Sequence, residues 1–373
     1  MITSSEPIDR LYSVIPAGGI GSRLWPLSRA DAPKFLHDLT GSGHTLLRDT
    51  WDRLVPLSTE ERIMVVTGRA HRAAVEQQLP ELADPNVVLE SEPRDSTAAI
   101  GLAAAILQRR EPGVIIGSFP ADQVIKGDAL FRSAVTAAVA AADAGYIVTI
   151  GIQPTEPAIG FGYIKSAASL PIDGAPTALA VDSFVEKPSP EVAEQYVADG
   201  NYLWNAGIFI ARADLLLAEI ASAEPELHAG LMKLAEAWDT PARGAVVDQI
   251  WPRLKKIAID YSVAEPAAAA GKLVVIPGQF DWDDVGDFAS IAKLHSGGRK
   301  SNLAILGEGA RVLADSSSGI VVSHTGRMIA LIGVEDIVVI DTPDALLVTT
   351  SANAQKVKAV VDALKLSGSS DVL

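Results

Sequence analysis

Cysteine is absent from the 373 residues, so disulfides, thiolate nucleophiles and thiolate metal sites are excluded outright. Any metal must be met by oxygen or imidazole, and the six histidines show no metal-like or triad-like spacing. Long apolar runs are also missing. The best candidates, residues 98–107 and 328–340, are too short or broken by charge, against the roughly 18 to 20 residues that span a bilayer. The first ten residues, Met1-Ile2-Thr3-Ser4-Ser5-Glu6-Pro7-Ile8-Asp9-Arg10, lack the basic start and apolar core of a secretory signal. A cytoplasmic chain without membrane insertion is expected. Basic charge is scarce: the formal net charge is −15, which argues against a nucleic-acid surface, since such surfaces need clustered Lys and Arg. A small anion can still be held where cations concentrate locally.

What is present is enough to build a large core. With 48% hydrophobic residues and a mean hydropathy of +0.24, the chain is globular, and its length suits two domains or one large and one small. Residues 11–16 form a short apolar run stopping at glycines, the form of a buried parallel strand feeding a loop. Residues 62–67, 86–89, 113–119 and 146–152 read as further strands, with helices over 46–57, 69–79, 97–110 and 129–144 between them. Such alternation implies an open parallel sheet covered on both faces, an α/β fold.

After Pro154 the pattern changes to strand-like runs at 160–164, 178–185 and 202–210 with a helix over 190–198, a substrate-binding half beside the first sheet. A helical block over 213–256 precedes a strand at 272–276 and the acidic cluster Asp281-Trp282-Asp283-Asp284. Beyond a linker at Gly297-Gly298-Arg299-Lys300, short β segments at 320–323, 329–332 and 337–340 and a helix over 354–366 make a small domain. The expected division is 1–295 and 296–373.

The loop after the first strand places Gly18, Gly19 and Gly21 within four positions, which lets backbone N–H groups approach phosphate oxygens. Glycines alone leave a triphosphate site, a dinucleotide site and a simple tight turn all open. Arg23, Arg29 and Lys34 follow in an otherwise acidic chain and supply the local positive field. Arg23 suits bidentate contact to a departing pyrophosphate and Lys34 acts as a point charge, whereas Arg29 taken singly reads as a surface charge. Ser22-Arg23-Leu24-Trp25-Pro26 does not open a helix cleanly, which speaks against a dinucleotide-binding oxidoreductase.

Gly18-Gly19-Ile20-Gly21-Ser22-Arg23-Leu24-Trp25-Pro26-Leu27-Ser28-Arg29, followed by Pro33-Lys34-Phe35-Leu36, resembles the signature of the mannose-1-phosphate guanylyltransferases, or GDP-mannose pyrophosphorylases. Similar blocks recur in order at Glu92-Pro93-Arg94, Pro120-Ala121-Asp122, Phe184-Val185-Glu186-Lys187-Pro188, Trp204-Asn205-Ala206-Gly207, Trp282-Asp283-Asp284-Val285-Gly286 and Asp341-Thr342-Pro343-Asp344. The resemblance implies a nucleotidyltransferase fold, a Rossmann-like mixed and mostly parallel sheet, with a small β-helix-like C-terminal domain. It implies transfer of GMP from GTP to mannose 1-phosphate and Mg2+ on Asp122 and Asp284. A homodimer is expected separately, with the C-terminal β segment as the segment that could supply the contact. Arg23, Lys34 and Lys187 would be catalytic; Ala17, Gly18, Gly19, Gly21, Ser22, Arg23, Thr97 and Asp122 would bind the nucleotide; Gly162, Glu186, Lys187 and Asn205 would bind the sugar phosphate.

Several bland readings stand beside these. Glu186 and Lys187 alone read as an exposed pair worth little, and Trp204 reads as a core aromatic. Asp281 and Asp283 suit the capping of a helix expected to begin around Val285. The chain departs from the family pattern at Gln123, at Asp95-Ser96-Thr97-Ala98 and at Ile159-Gly160-Phe161, positions that bear on base and sugar selection. Another nucleoside triphosphate with another hexose phosphate, or a non-catalytic regulatory subunit, are the alternatives; the second would lack some of Arg23, Lys34, Asp122, Lys187 and Asp284, all present here. The ionised sugar phosphate needs no base, so catalysis reduces to positioning and charge neutralisation.

Overall fold

The computed structural model describes residues 6–296, 302–307 and 309–373. The linker Gly297-Gly298-Arg299-Lys300 and the residues before Glu6 lie outside the described residues. The chain forms two compact units, each assembled from three segments: Met1–Gly18, Thr50–Ala121 and Ile125–Trp282 in the first, Gly19–Asp49, Asp122–Val124 and Asp283–Leu373 in the second.

The first unit is built on a nine-stranded sheet in the order Val87–Glu90, Ile63–Gly68, Leu11–Ala17, Ile115–Ser118, Tyr202–Arg212, Ile147–Ile152, Leu273–Gly278, Leu179–Glu186, Gly162–Ser169. The first four strands are parallel, and so are Ile147–Ile152 and Leu273–Gly278. Tyr202–Arg212 runs antiparallel to both its sheet neighbours, and Leu179–Glu186 forms an antiparallel ladder with Gly162–Ser169. The sheet is mixed, as the family resemblance implies and not parallel throughout as the alternation alone suggests, with its parallel pairing confined to those two stretches.

The apolar runs explain the strands. All six residues of Ile147–Ile152 are buried, the pattern of a strand covered on both faces. The helix Asp95–Arg110 buries eleven residues, Thr97 to Leu107, against the sheet and the helices Ala213–Ala223 and Pro225–Trp238. Arg109 and Arg110 close its last turn, where cations offset the helix dipole. Arg69–His71 is a tight turn and the regular helix runs only over Arg72–Gln78, a shorter element than the apolar spacing predicts.

The second unit holds the C-terminal strands. Leu303–Leu306, Gly319–Ser323 and Ile337–Asp341 stack in parallel and Leu346–Thr350 closes the sheet antiparallel, while Arg311–Asp315 pairs in parallel with Met328–Ile332. Parallel rungs of four or five residues joined by short turns are the geometry of a β-helix. The terminal helix starts at Val357 and not at Ala354, because Ser351–Lys356 winds as a tighter 3-10 segment.

The segment Gly19–Asp49 belongs to this unit. Leu24, Trp25, Leu27, Leu39 and Leu46 share a core with Ile320, Val322, Val338, Ile340 and Val361. The Trp25 indole N–H donates to the Val372 carbonyl at 2.7 Å. Among the described residues no helix is long and apolar enough to cross a membrane.

Candidate functional site

The signature segment turns at Gly21, whose φ of 74° lies in the left-handed region that disfavours side chains. A Cβ there would stand 2.7 Å from Cβ of Lys34, so Gly21 also makes room for the lysine stem. Lys34 is only 4% exposed. Its ammonium donates to the Asp122 carboxylate at 2.9 Å and to the Asp284 carbonyl oxygen. Burial alone would lower the Lys34 pKa; the pull of Asp122 and Asp284 outweighs it and raises the pKa above the ordinary value. The structure therefore brings Lys34, Asp122 and Asp284 into one cluster, although 250 residues separate the first from the last.

Arg23 is exposed, with no ion pair among the described residues. Arg29 is different. Its guanidinium makes two bonds to Asp344 at 2.8 and 3.0 Å and lies 5.9 Å from the centre of the Trp25 ring. Arg29 is thus a structural tie and not the solvated surface charge expected of it.

The acidic cluster also reads differently. Asp283 accepts from the Val285 N–H at 2.7 Å, but Val285 has φ 47°, so no helix can start there. The helix begins at Phe288, and Asp287 caps it by accepting from the Ser290 N–H at 3.0 Å. The capping role moves from Asp281 or Asp283 to Asp287.

In the first unit, strand register assembles a second cluster. Gly162 pairs with Glu186, and Tyr163 pairs with both Val185 and Trp204, which sets Glu186 and Asn205 on either side of Gly162. A Cβ on Gly162 would stand 2.5 Å from Oε2 of Glu186, so the glycine accommodates that carboxylate. Lys187 donates to Glu186; the lysine is 59% exposed and the glutamate side chain 9%. Lys187 has φ 50°, a strained conformation of the kind found at functional sites. Its partial burial is offset by Glu186, and its pKa is raised.

Asn205 is held from three sides. Its carbonyl accepts from the Thr149 hydroxyl at 2.8 Å and the Gly207 N–H at 3.1 Å, and its amide donates to Asp260 at 2.9 Å. Asp260 opens a π-helical turn, Asp260–Ala264. Burial, with Glu186 beside it, pushes its carboxyl up to about 7. Trp204 is buried, and it and Trp282 each meet Phe161 edge to face with ring centres 5.1 Å apart.

Thr97 is fully buried with its hydroxyl engaged with that of Ser262 at 2.8 Å. Ala17 ends the first strand and Gly18 follows it; Gly19 and Ser22 carry on the turn into the second unit. Glu90 and Asp260 were not singled out from the sequence. The available signal was a lone carboxylate in an apolar run: Val87-Val88-Leu89-Glu90, and Ile259-Asp260 before Ser262-Val263-Ala264.

The pattern of the family described as Nucleotidyl transferase matches residues 12–300, and that described as MannoseP isomerase/GMP-like beta-helix domain matches 309–364. The chain belongs to the nucleotidyl transferase family. It is 36% identical over 368 residues to the xanthan biosynthesis protein XanB of Xanthomonas campestris, covering 96% of this chain and 74% of that protein. It is 35% identical over 365 residues to a mannose-1-phosphate guanylyltransferase of Escherichia coli, with 96% and 74% covered. A crystal structure described as mannose-1-phosphate geranyltransferase from Thermus thermophilus superposes with a TM-score of 0.84 at 31% identity, covering 95% of this chain and 99% of that one.

Proposed function

We propose that the chain transfers GMP from GTP to α-D-mannose 1-phosphate, giving GDP-mannose and pyrophosphate. The observation that carries this reading is the buried Lys34 ammonium on Asp122 and Asp284, at the foot of a glycine turn that also bears the exposed Arg23. The names and likeness of the relatives support the same choice of substrates.

In the reaction a phosphate oxygen of the sugar phosphate attacks the α-phosphorus in line. The bond from that phosphorus to the bridging oxygen breaks, and pyrophosphate leaves with the electron pair. Arg23 and Lys34 neutralise the leaving group, and Lys187, oriented by Glu186, aims the nucleophile. Glu186, Asn205 and the backbone at Gly162 receive the sugar hydroxyls; Ala17, Gly18, Gly19, Gly21 and Ser22 cradle the phosphates, and Thr97 belongs to the nucleotide-binding set.

A magnesium ion fits the donor set. Two acidic residues already converge on one cation, Lys34, and Mg2+ asks for only one or two protein carboxylates because phosphate and water complete its shell. Asp122 and Asp284 would hold it, and when bound it supplies charge neutralisation at phosphate oxygens.

We further propose catalytic and β-helix domains over 1–295 and 296–373, a cytoplasmic location and a homodimer. Light scattering at micromolar concentration tests the dimer; a monomer throughout would refute it. The function is tested by pyrophosphate release from GTP, UTP, dTTP and ATP against mannose, glucose and N-acetylglucosamine 1-phosphates, with and without Mg2+. GTP with mannose 1-phosphate should lead, and a different leading pair would replace this reading.

A further inference from the structure

The nine-stranded sheet ends at the strand Val87–Glu90, and a cavity of about 180 Å3 opens beside that strand, with walls from the helices Pro225–Trp238 and Arg243–Ile250. Every residue that lines it belongs to the first unit. Its floor is apolar. Val87, Trp238 and Val247 are each no more than 4% exposed, and the partly buried Leu89 completes it.

Three arginines surround this floor: Arg69 from the turn after the second strand, Arg72 from the start of the helix Arg72–Gln78, and Arg243 from the start of the helix Arg243–Ile250. Arg69 pairs with Asp248, and Arg72 with Glu76 and Asp84, in pairs exposed to water at both ends. Such pairs are weak enough to be exchanged for a better-matched anion. Arg243 makes no ion pair among the described residues. It lies 5.4 Å from the centre of the Trp238 ring, and the acid it acts on, Asp239, is already engaged by Arg110 through two bonds at 2.7 and 2.9 Å. A guanidinium held against an aromatic ring keeps its charge and its N–H donors. With Asp84 the one acid in its wall, the cavity is a local excess of positive charge in a chain of net charge −15. None of its lining residues belongs to the sets assigned to the nucleotide, the sugar phosphate or the metal.

We propose that this cavity binds a monosaccharide phosphate, which it holds and does not turn over. The phosphate is matched by the arginines, whose planar forks meet its oxygens two at a time. The sugar is matched by the floor. A cavity of roughly 150 Å3 takes one six-membered carbon ring, so this one seats a single hexose, with a C–H face on Val87, Leu89 and Val247 and its hydroxyls toward the mouth. A nucleotide, with its base and ribose together, is too large to be enclosed. The lining holds no hydroxyl, thiol or imidazole and a single carboxylate, so it has no group with which to cleave the ester.

The experiment titrates mannose 6-phosphate, inorganic phosphate, mannose and GMP by calorimetry into the wild type, Arg243→Gln, Gly244→Leu and Lys187→Ala. Mannose 6-phosphate carries its phosphate on the wrong carbon for the proposed reaction, so it reports binding alone. Arg243→Gln removes a charge without stranding a carboxylate. Gly244→Leu blocks the cavity by bulk: Gly244 lines it, a Cβ there meets nothing within 4 Å, and leucine suits the helix better than glycine. Arg243→Gln should weaken mannose 6-phosphate by on the order of 10- to 100-fold, the value of a hydrogen bond to a charged group. Gly244→Leu should abolish its binding, and Lys187→Ala should leave it unchanged. Inorganic phosphate and mannose should each bind more weakly than the two joined. Binding lost in Lys187→Ala and kept in both cavity variants would place the ligand in the sugar-phosphate site and overturn the proposal. A wild type that takes up no mannose 6-phosphate at millimolar concentration overturns it too, and GMP bound more tightly at a site sensitive to Arg243→Gln overturns the choice of a sugar. Melting curves establish that each variant is folded, and the comparison of the wild type with the two cavity variants holds whatever reaction the protein performs.

Discussion

Lys34 and Glu90 are both buried charges, 4% and 6% exposed, one in each compact unit, and the protein treats them in opposite ways. Lys34 meets Asp122 and the Asp284 carbonyl, so its charge is balanced within the fold. Among the described residues the charged group that acts on Glu90 is another acid, Asp95. A balanced buried charge can serve as fixed electrostatics for a reaction without waiting for a ligand. An unbalanced one lowers stability wherever it is ionised.

The sharpest way to break this comparison is Lys34→Ala. It removes a cation assigned to the leaving group and strips Asp122 of its partner, so pyrophosphate release should fall by roughly 10²- to 10³-fold. Stability should drop by about 1–3 kcal/mol, limited because Asp122 is 30% exposed and water can reach it. Kinetics and urea unfolding on the same preparation check both. Full activity in the variant would remove Lys34 from the chemistry.

Glu90→Gln should move stability the other way. Glu90 has a folded pKa of about 7 against 4.5 when unfolded, so the folded state holds the extra proton between those values. Its contribution is therefore greatest below about pH 4.5 and is lost as pH rises through 7, amounting to about 3 kcal/mol over the whole window. Between pH 5.5 and 8 the wild type should lose stability relative to the variant, because the amide does not ionise. Parallel unfolding curves for the two proteins across that range would show that Glu90 is compensated after all.

Asp260 lies between these extremes, an acid raised by burial and by Glu186 that still accepts one hydrogen bond from Asn205. Asp260→Ala leaves the Asn205 amide without that acceptor and should cost about 1–3 kcal/mol, with KM for mannose 1-phosphate rising more than kcat falls. Asp260→Asn keeps an acceptor and should recover most of the stability. If both variants melt alike, the carboxamide contact is not what holds Asn205.

How much of this was legible in the sequence follows the range of the interactions. Gly21 and Lys34 sit thirteen positions apart in one signature, and the strand at Leu11–Ala17 announces itself by an apolar run ending at glycine. The packing of Trp25 on Val372 and of Leu24 among Ile320 and Val338 joins segments about three hundred residues apart, and no local pattern encodes it. The Gly162, Glu186 and Asn205 cluster depends on strand register, which is set by the whole sheet. The cap at Asp287 was missed because Asp281, Asp283 and Asp287 are equal in local preference; the left-handed Val285 decides among them, and that conformation is a tertiary outcome. Glu90 and Asp260 were visible only as lone acids in apolar runs, a pattern equally met by a strand end or a turn.

The smallest effect is expected at Arg29, where the comparison is sharpened by a third case. Arg29 is balanced like Lys34, but its partner Asp344 is 46% exposed, and exposed pairs contribute at most about 1 kcal/mol. Its bond to the Pro26 carbonyl and its place near the Trp25 ring add packing to the charge pair. Arg29→Ala should therefore cost no more than about 1 kcal/mol in unfolding and leave the KM for both substrates near the wild-type value. A loss of pyrophosphate release as large as that of Lys34→Ala, with melting unchanged, would place Arg29 in the reaction and would mean that a cation already paired by the fold can be lent to the substrate.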